Sequence, residues 1–350
     1  MAPPRLSPRV EHRIVRAACG LAPGVQRALF GAPPSLDGQE LAPDIHVLLT
    51  LARLQGETSL VDGRTPEQAR ADNLEAVPVI TGPRQPMREV AALRIPGPGG
   101  EMPARLYVAN SAAAEPGPLI VYYHGGGWAV GDLVTHDGVC RFLAANTSFR
   151  VLSVEYRLAP EHPFPEPVED ALAAFAWTAE HAELVGANPA RIAVAGDSAG
   201  ANLSAAVSLL TRDAEVRPAM QLLLYPVTDA RGDMPSRELF ADGFLLTKGD
   251  MDWFEGHYIP DGCDETDPRI SMMRAADLAG LPPAYVATAG FDPLRDEGEA
   301  YAERMREAGN QAALRRYPGL IHGFAHLTAI SRTSREAMLE IAGALRLGLA

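Results

Sequence analysis

One pentapeptide constrains this chain more than any other feature. Gly196-Asp197-Ser198-Ala199-Gly200 directly follows the apolar run Arg191–Ala195 and opens a helix-like segment, Ser198–Thr211. A buried strand must therefore turn into a helix within a few residues. Such a reversal brings the two backbones too close for a side chain, and glycine at both ends meets that demand. The serine between them sits on a strained turn, its hydroxyl lifted clear of the sheet. A glycine-rich pentapeptide is weak evidence alone, so the rest of the chain must supply the context.

Three segments do so. His124-Gly125-Gly126-Gly127-Trp128 follows the apolar run Leu119–Tyr123. Adjacent glycines let backbone N–H groups point into a cavity with no side chain in the way. Such donors stabilise the oxyanion of a tetrahedral intermediate. A phosphate loop is excluded because no Gly-Lys-Ser/Thr follows. Further on, the strand-like Tyr285–Gly290 runs into Asp292, and Arg315–Ile321 runs into His322. The chain order is Ser198, Asp292, His322, which is the order of α/β-hydrolases and not that of the chymotrypsin or subtilisin folds. Ser198 is inert unless a base takes its proton. His322 is placed to do so, with Asp292 holding the imidazole tautomer and stabilising the imidazolium.

The chain resembles the hormone-sensitive-lipase-like branch of the α/β-hydrolases, bacterial carboxylesterases with a Gly-Asp-Ser-Ala-Gly elbow. The matching stretches are His124–Trp128, Tyr156–Pro165, Gly196–Gly200, Leu223–Pro226, Ala289–Gly298 and His322–Phe324, spanning about residues 90 to 330. After Asp267–Ser271 the family usually has a proline, where this chain has Met272. The resemblance implies an α/β-hydrolase fold, a mostly parallel central sheet flanked by helices, with a helical cap. It implies an oxyanion hole made by the N–H groups of Gly126, Gly127 and Ala199. It implies a serine carboxylesterase acting on small to medium, uncharged esters through an acyl-enzyme, with no cofactor and no metal. An amidase, lactonase or carbamate hydrolase on the same triad is the alternative. A ligand-binding member of the fold would lose the histidine that is present here as His322.

Each candidate has a plainer competitor. Asp296 falls inside a helix start, where it caps or pairs with Arg295. His326 lies past the turn that follows the strand, and the His322/His326 pair lacks the glutamate of H-E-x-x-H. His124 is expected to brace the glycine loop by hydrogen bonding. Trp128 is expected at the substrate pocket, although a large aromatic beside a glycine turn is as often core. Arg157, Glu161 and His162 are expected to tie their loop down.

Composition narrows the partners. With 31 basic and 44 acidic residues the net charge is −13. Nucleic acid and anionic membrane surfaces are thereby disfavoured. No run of 18 apolar residues occurs, so a stable membrane association is not expected. The N-terminus lacks the apolar core of a secretory leader. Cys19, Cys140 and Cys263 are too few and too scattered for a disulfide framework or a zinc motif. Reduced thiols in a cytoplasmic protein are the expectation, with homo-oligomerisation left open.

Apolar periodicity predicts an N-terminal helix over 9–30 (Val10, Ile14, Ala17, Leu21) whose end Gly20 and Pro23 interrupt, a second over Pro43–Gln55, and a capped third from Thr65 to Val77. A hairpin follows, Val90–Ile95 and Ala104–Val108, turning at Gly97–Gly100. From Leu119 strands alternate with helices, which predicts a parallel sheet covered on both faces. The interval 228–281 breaks that alternation and carries Phe240, Phe244, Trp253, Phe254 and Tyr258. It is too long for a connection and too apolar for a linker. The expected division is an N-terminal cap segment, 1–85, and a catalytic domain, 86–350, with a second cap contribution around 228–281.

Overall fold

The computed structural model describes residues 7–61, 63–230 and 232–350. The first six residues, part of the leader reading above, lie outside it. Eight strands form one sheet: β1 Glu89–Gly97, β2 Gly100–Val108, β3 Gly117–Tyr123, β4 Arg150–Val154, β5 Ala187–Asp197, β6 Met220–Leu224, β7 Ala284–Phe291 and β8 Ala312–Ile321. Their order is β1-β2-β4-β3-β5-β6-β7-β8. Strands β3 to β8 run parallel, while β2 pairs antiparallel with both β1 and β4. The predicted hairpin is present, with Gly97 opposite Gly100.

Eleven helices are described: α1 Pro8–Cys19, α2 Pro23–Phe30, α3 Pro43–Gln55, α4 Pro66–Thr81, α5 Asp137–Thr147, α6 Glu166–Glu180, α7 Ala199–Leu210, α8 Pro235–Leu239, α9 Lys248–Tyr258, α10 Arg295–Glu307 and α11 Arg332–Gly348. The central strands are buried on both faces, and their side chains alternate between two apolar clusters. Leu119, Val121 and Tyr123 of β3 join Val168 and Phe175 of α6 and Leu203 of α7. Ile120 and Tyr122 join Val139 and Leu143 of α5 and Ile341 of α11. Helix α5 was not expected from the sequence.

The interruption expected at Gly20 and Pro23 divides the segment 9–30 into two helices. The N-terminal region departs from the periodicity reading in which face is buried, because the expected core stripe faces outward: Val10 is 42% and Ile14 48% exposed. The buried face of α1 carries His12, Val15 and Cys19 instead. Tertiary contact decides this, since His12 Nδ1 donates to the Val79 carbonyl at 2.7 Å and ties α1 to α4. Helix α4 has the predicted start, a capping box in which Thr65 and Gln68 bond reciprocally. It runs past Pro78 to Thr81, four residues beyond the expected end.

The N-terminal segment is bound to the C-terminal ends of β7 and β8. Ala42 N–H donates to the Gly319 carbonyl at 2.9 Å, and Gln39 to the Gly290 carbonyl. It also meets the 228–281 interval. Asp250 at the start of α9 accepts from Ser59 Oγ and from the Leu60 and Val61 N–H groups. Trp253 Nε1 donates to the Arg64 carbonyl at 3.2 Å.

Candidate active site

The order of the sheet reverses around β3 and β5, which are neighbours, so loops leaving their C-terminal ends diverge and form a crevice. The register pairs Tyr123 with Gly196. That alignment sets the loop His124–Gly127 beside Asp197 and Ser198.

Ser198 adopts φ 54°, ψ −120°, between β5 and α7. A non-glycine residue held there stores about 1–3 kcal/mol of strain. The turn is fixed by Ser198 N–H donating to the Leu224 carbonyl at 2.9 Å. A Cβ on Gly196 would stand 2.3 Å from the Gly200 backbone, and one on Gly200 would stand 2.0 Å from the Tyr123 carbonyl oxygen. The close approach inferred from the pentapeptide is thus real at both ends.

The glycine loop is equally confined. Gly126 has φ 114° and Gly127 φ 55°. A Cβ on Gly126 would meet the Val130 carbonyl oxygen at 2.3 Å, and one on Gly127 would meet the Phe254 ring at 2.1 Å. Helix α9 therefore lies directly on the loop. His124 braces it: Nδ1 donates to the Gly125 carbonyl at 2.9 Å, and the ring stacks on Tyr156 at 4.3 Å. Burial, then His136, pushes the His124 imidazole down to about 4, so it stays neutral.

Asp292 and His322 follow the last residues of β7 and β8. Tyr317 pairs with Ala289, yet Ile321 pairs with Phe291, so β8 carries two extra residues. The bulge over Pro318–Leu320 slips His322 into line with Asp292. Gly290 permits it, because a Cβ there would stand 2.1 Å from the Pro318 carbonyl oxygen. His322 Nδ1 donates to Asp292 Oδ2 at 2.9 Å. The other carboxylate oxygen accepts from Leu294 N–H at 2.9 Å. With Nδ1 protonated, Nε2 of His322 carries the lone pair. Asp292 is fully buried and Tyr225 packs edge-on against the His322 ring at 4.7 Å.

The competing residues are engaged elsewhere. Asp296 accepts from Arg295 and from the Ser236 N–H. His326 Nε2 donates to Asp197 Oδ2 at 3.3 Å. Arg157 is tied to Asp170, Glu161 to Arg70 and His162 to Glu166. Met272 is buried, opening a single 3-10 turn beneath Asn202 of α7.

Trp128, expected at the pocket or in the core, packs against the cap. It is 1% exposed and stacked face to face on Tyr258 of α9 at 4.1 Å. The ring is buried between the glycine loop and the cap helix and packs the two together. Two residues also shape the site: Asp197, given no role in the sequence, and Phe254, noted there only as one of the cap aromatics. Asp197, the residue before the serine, accepts from Tyr122 Oη at 2.6 Å and from Gly125 N–H at 3.0 Å, joining β3, the glycine loop and the elbow. Burial pushes its carboxyl up, but the charge and hydrogen bond of His136 and the hydrogen bond of His326 more than offset this and hold it well below the ordinary range. Phe254 seats α9 on Gly127.

Ser198 is 9% and His322 6% exposed, so the site is covered. A wide open crevice, about 760 Å³, lies at the other end of the sheet, lined by Pro189 at the start of β5 and by Val216, Pro283 and Gln311, which precede β6 to β8. It carries none of the groups above.

Residues 120–326 match the family model for the alpha/beta hydrolase fold. The chain belongs to that family. It is 46% identical over 318 residues to the carboxylic ester hydrolase LipN of Mycobacterium tuberculosis, covering 89% of this chain and 84% of LipN. Among solved structures it is similar to the ester-hydrolase EH1AB1 from the metagenome of Lake Arreo, with TM-score 0.84, 43% identity and 88% and 98% of the two chains covered. It is also similar to the esterase of Pyrobaculum calidifontis, with TM-score 0.81, 37% identity and 89% and 100% covered.

Proposed function

We propose that this carboxylic ester hydrolase works through a two-step acyl-enzyme route on Ser198, His322 and Asp292. The His322–Asp292 hydrogen bond of 2.9 Å carries the reading, because it lies at the same edge of a parallel sheet as the Ser198 turn. His322 Nε2 takes the Ser198 proton as Oγ attacks the ester carbonyl, and gives it to the leaving alcohol. Water then repeats the sequence on the acyl-serine. Backbone N–H groups of Gly126, Gly127 and Ala199 receive the developing oxyanion. The relative EH1AB1 was solved with a bipyridine phosphonate derivative, whose phosphorus is tetrahedral like the carbon of that intermediate.

Residues 1–85 and 228–281 form the cap in this reading, and the rest of 86–350 the catalytic body. The contacts of Asp250 and Trp253 with 59–64 support one continuous cover, and Phe254 on Gly127 supports its placement over the acyl site. Such a cover favours short and medium acyl chains on neutral esters.

A panel of p-nitrophenyl esters of rising acyl length, run beside an amide and a lactone, tests this. The expected result is a burst of phenol followed by slower turnover, greatest on short and medium esters. Preference for the amide or lactone, or for long-chain triglycerides, would overturn it.

A further inference from the structure

Three titratable groups remain outside this chemistry and meet behind the glycine loop. His136 precedes α5, Asp197 ends β5, and His326 lies in the short 3-10 helix Phe324–Ala329 after β8. His136 Nε2 stands 3.3 Å from Asp197 Oδ1, and His326 Nε2 stands 3.3 Å from Asp197 Oδ2. The two imidazoles meet edge to face at 4.6 Å. One ligand atom from each of the three lies within 4.8 Å of the others.

Those spacings are long for hydrogen bonds to a carboxylate. They leave room for an ion between the three groups. Tetrahedral bonds of about 2.0–2.1 Å place neighbouring ligand atoms about 3.3–3.4 Å apart, so the two rings, which now face different carboxylate oxygens, would draw in from spacings of up to 4.8 Å. Two imidazoles and one carboxylate, with water in the fourth position, are a donor set that suits a borderline divalent ion. Outer partners already orient the donors. His136 Nδ1 is 2.9 Å from Thr135 Oγ1, and Asp197 Oδ1 accepts from Tyr122 Oη and Gly125 N–H. Gly125 N–H also lies 3.1 Å from His136 Nε2.

An entry path exists that does not pass Ser198. The His326 side chain is 21% exposed. It lines a crevice of about 330 Å³ between the end of α4, α5 and α11, with Arg84, Asp137 and Arg335 among the other walls.

We propose that His136, Asp197 and His326 form a binding site for a divalent transition-metal ion of the zinc class, and that its occupancy lowers turnover. The link runs through Gly125. An ion bonded to His136 Nε2 takes the lone pair that accepts from the Gly125 N–H and draws the Asp197 carboxylate toward itself, loosening the loop that carries Gly126 and Gly127. The ligands come from three distant segments, so no sequence spacing reveals them.

The test is titration of the purified full-length chain with Zn²⁺ by calorimetry and with Co²⁺ by visible absorption, for wild type, His326→Gln and His136→Gln. The proposal expects one ion per chain and the intense visible bands of tetrahedral Co²⁺. Each variant should weaken binding by more than the roughly 10–100-fold that loss of an outer-shell partner brings. Added Zn²⁺ should lower wild-type kcat at unchanged KM, and His326→Gln should need at least about tenfold more. A Co²⁺ spectrum of the hexaaquo type, or unchanged affinity in both variants, would overturn the site. Stoichiometric binding with unchanged kcat would overturn the control. The binding arms stand whether or not the chain hydrolyses esters; only the kcat arm rests on the proposed function.

Discussion

Gly200→Ala tests whether the elbow and the oxyanion loop must touch. The added Cβ would stand 2.0 Å from the Tyr123 carbonyl oxygen and 2.6 Å from that of His124. Ordinary contact begins at 3.4 Å, and both neighbours are backbone, so no side chain can swing aside. Helix α7 and the end of β3 must therefore part by about 1 Å or more. That gap opens between Ser198 and Ala199 on one side and the Gly126–Gly127 loop on the other. A displacement of about 1 Å in a reacting constellation costs about 10² in rate, or about 2.7 kcal/mol. The strain itself should lower stability by about 1–3 kcal/mol. Gly343→Ala is the control. It lies inside α11 with nothing within 4 Å of its Cβ, and alanine there should stabilise by about 0.5–1 kcal/mol. Both variants would be assayed for p-nitrophenyl butyrate hydrolysis and for urea midpoint. A Gly200→Ala enzyme that melts normally and stays within tenfold of wild-type kcat/KM would refute the reasoning.

Two other perturbations follow from the geometry. His322→Ala should lose at least about 10³ in kcat/KM, whereas His326→Ala, assayed with a chelator present, should lose less than about tenfold. Equal losses would mean that the wrong ring was assigned to proton transfer. His124 stays neutral down to about pH 4, while in the unfolded chain it takes up a proton near its ordinary value of 6.5. The unfolded state then binds more protons, so stability falls as pH drops from about 6.5 to 4, by up to about 3 kcal/mol. His124→Asn should remove that portion of the slope in urea midpoints measured across this range. Parallel curves for the two proteins would contradict it.

What the sequence disclosed was what backbone sterics control locally. Gly196 and Gly200 announce a close crossing because no other residue fits there, and Thr65 with Gln68 announces a helix start through short-range hydrogen bonds. The site's lateral geometry was hidden. The bulge at Pro318–Leu320 that brings His322 level with Asp292 depends on the partner strand, and Asp197 acquires its bonds only when β3, β5 and the turn after β8 converge. The outward apolar stripe of α1 misled for the same reason. Val10 and Ile14 have helical spacing, but His12 finds its acceptor on α4 and turns the other face inward.

The central claim is that Ser198 is the nucleophile. Intact-mass and peptide mass spectrometry after treatment with a fluorophosphonate tests it most directly. A single adduct is predicted on the peptide containing Ser198, with labelling rate falling in His322→Ala, and none in Ser198→Ala, which should retain no more than a few per cent of wild-type ester hydrolysis. An adduct on any other residue, or a Ser198→Ala protein that still turns over esters at a substantial rate, would contradict the account.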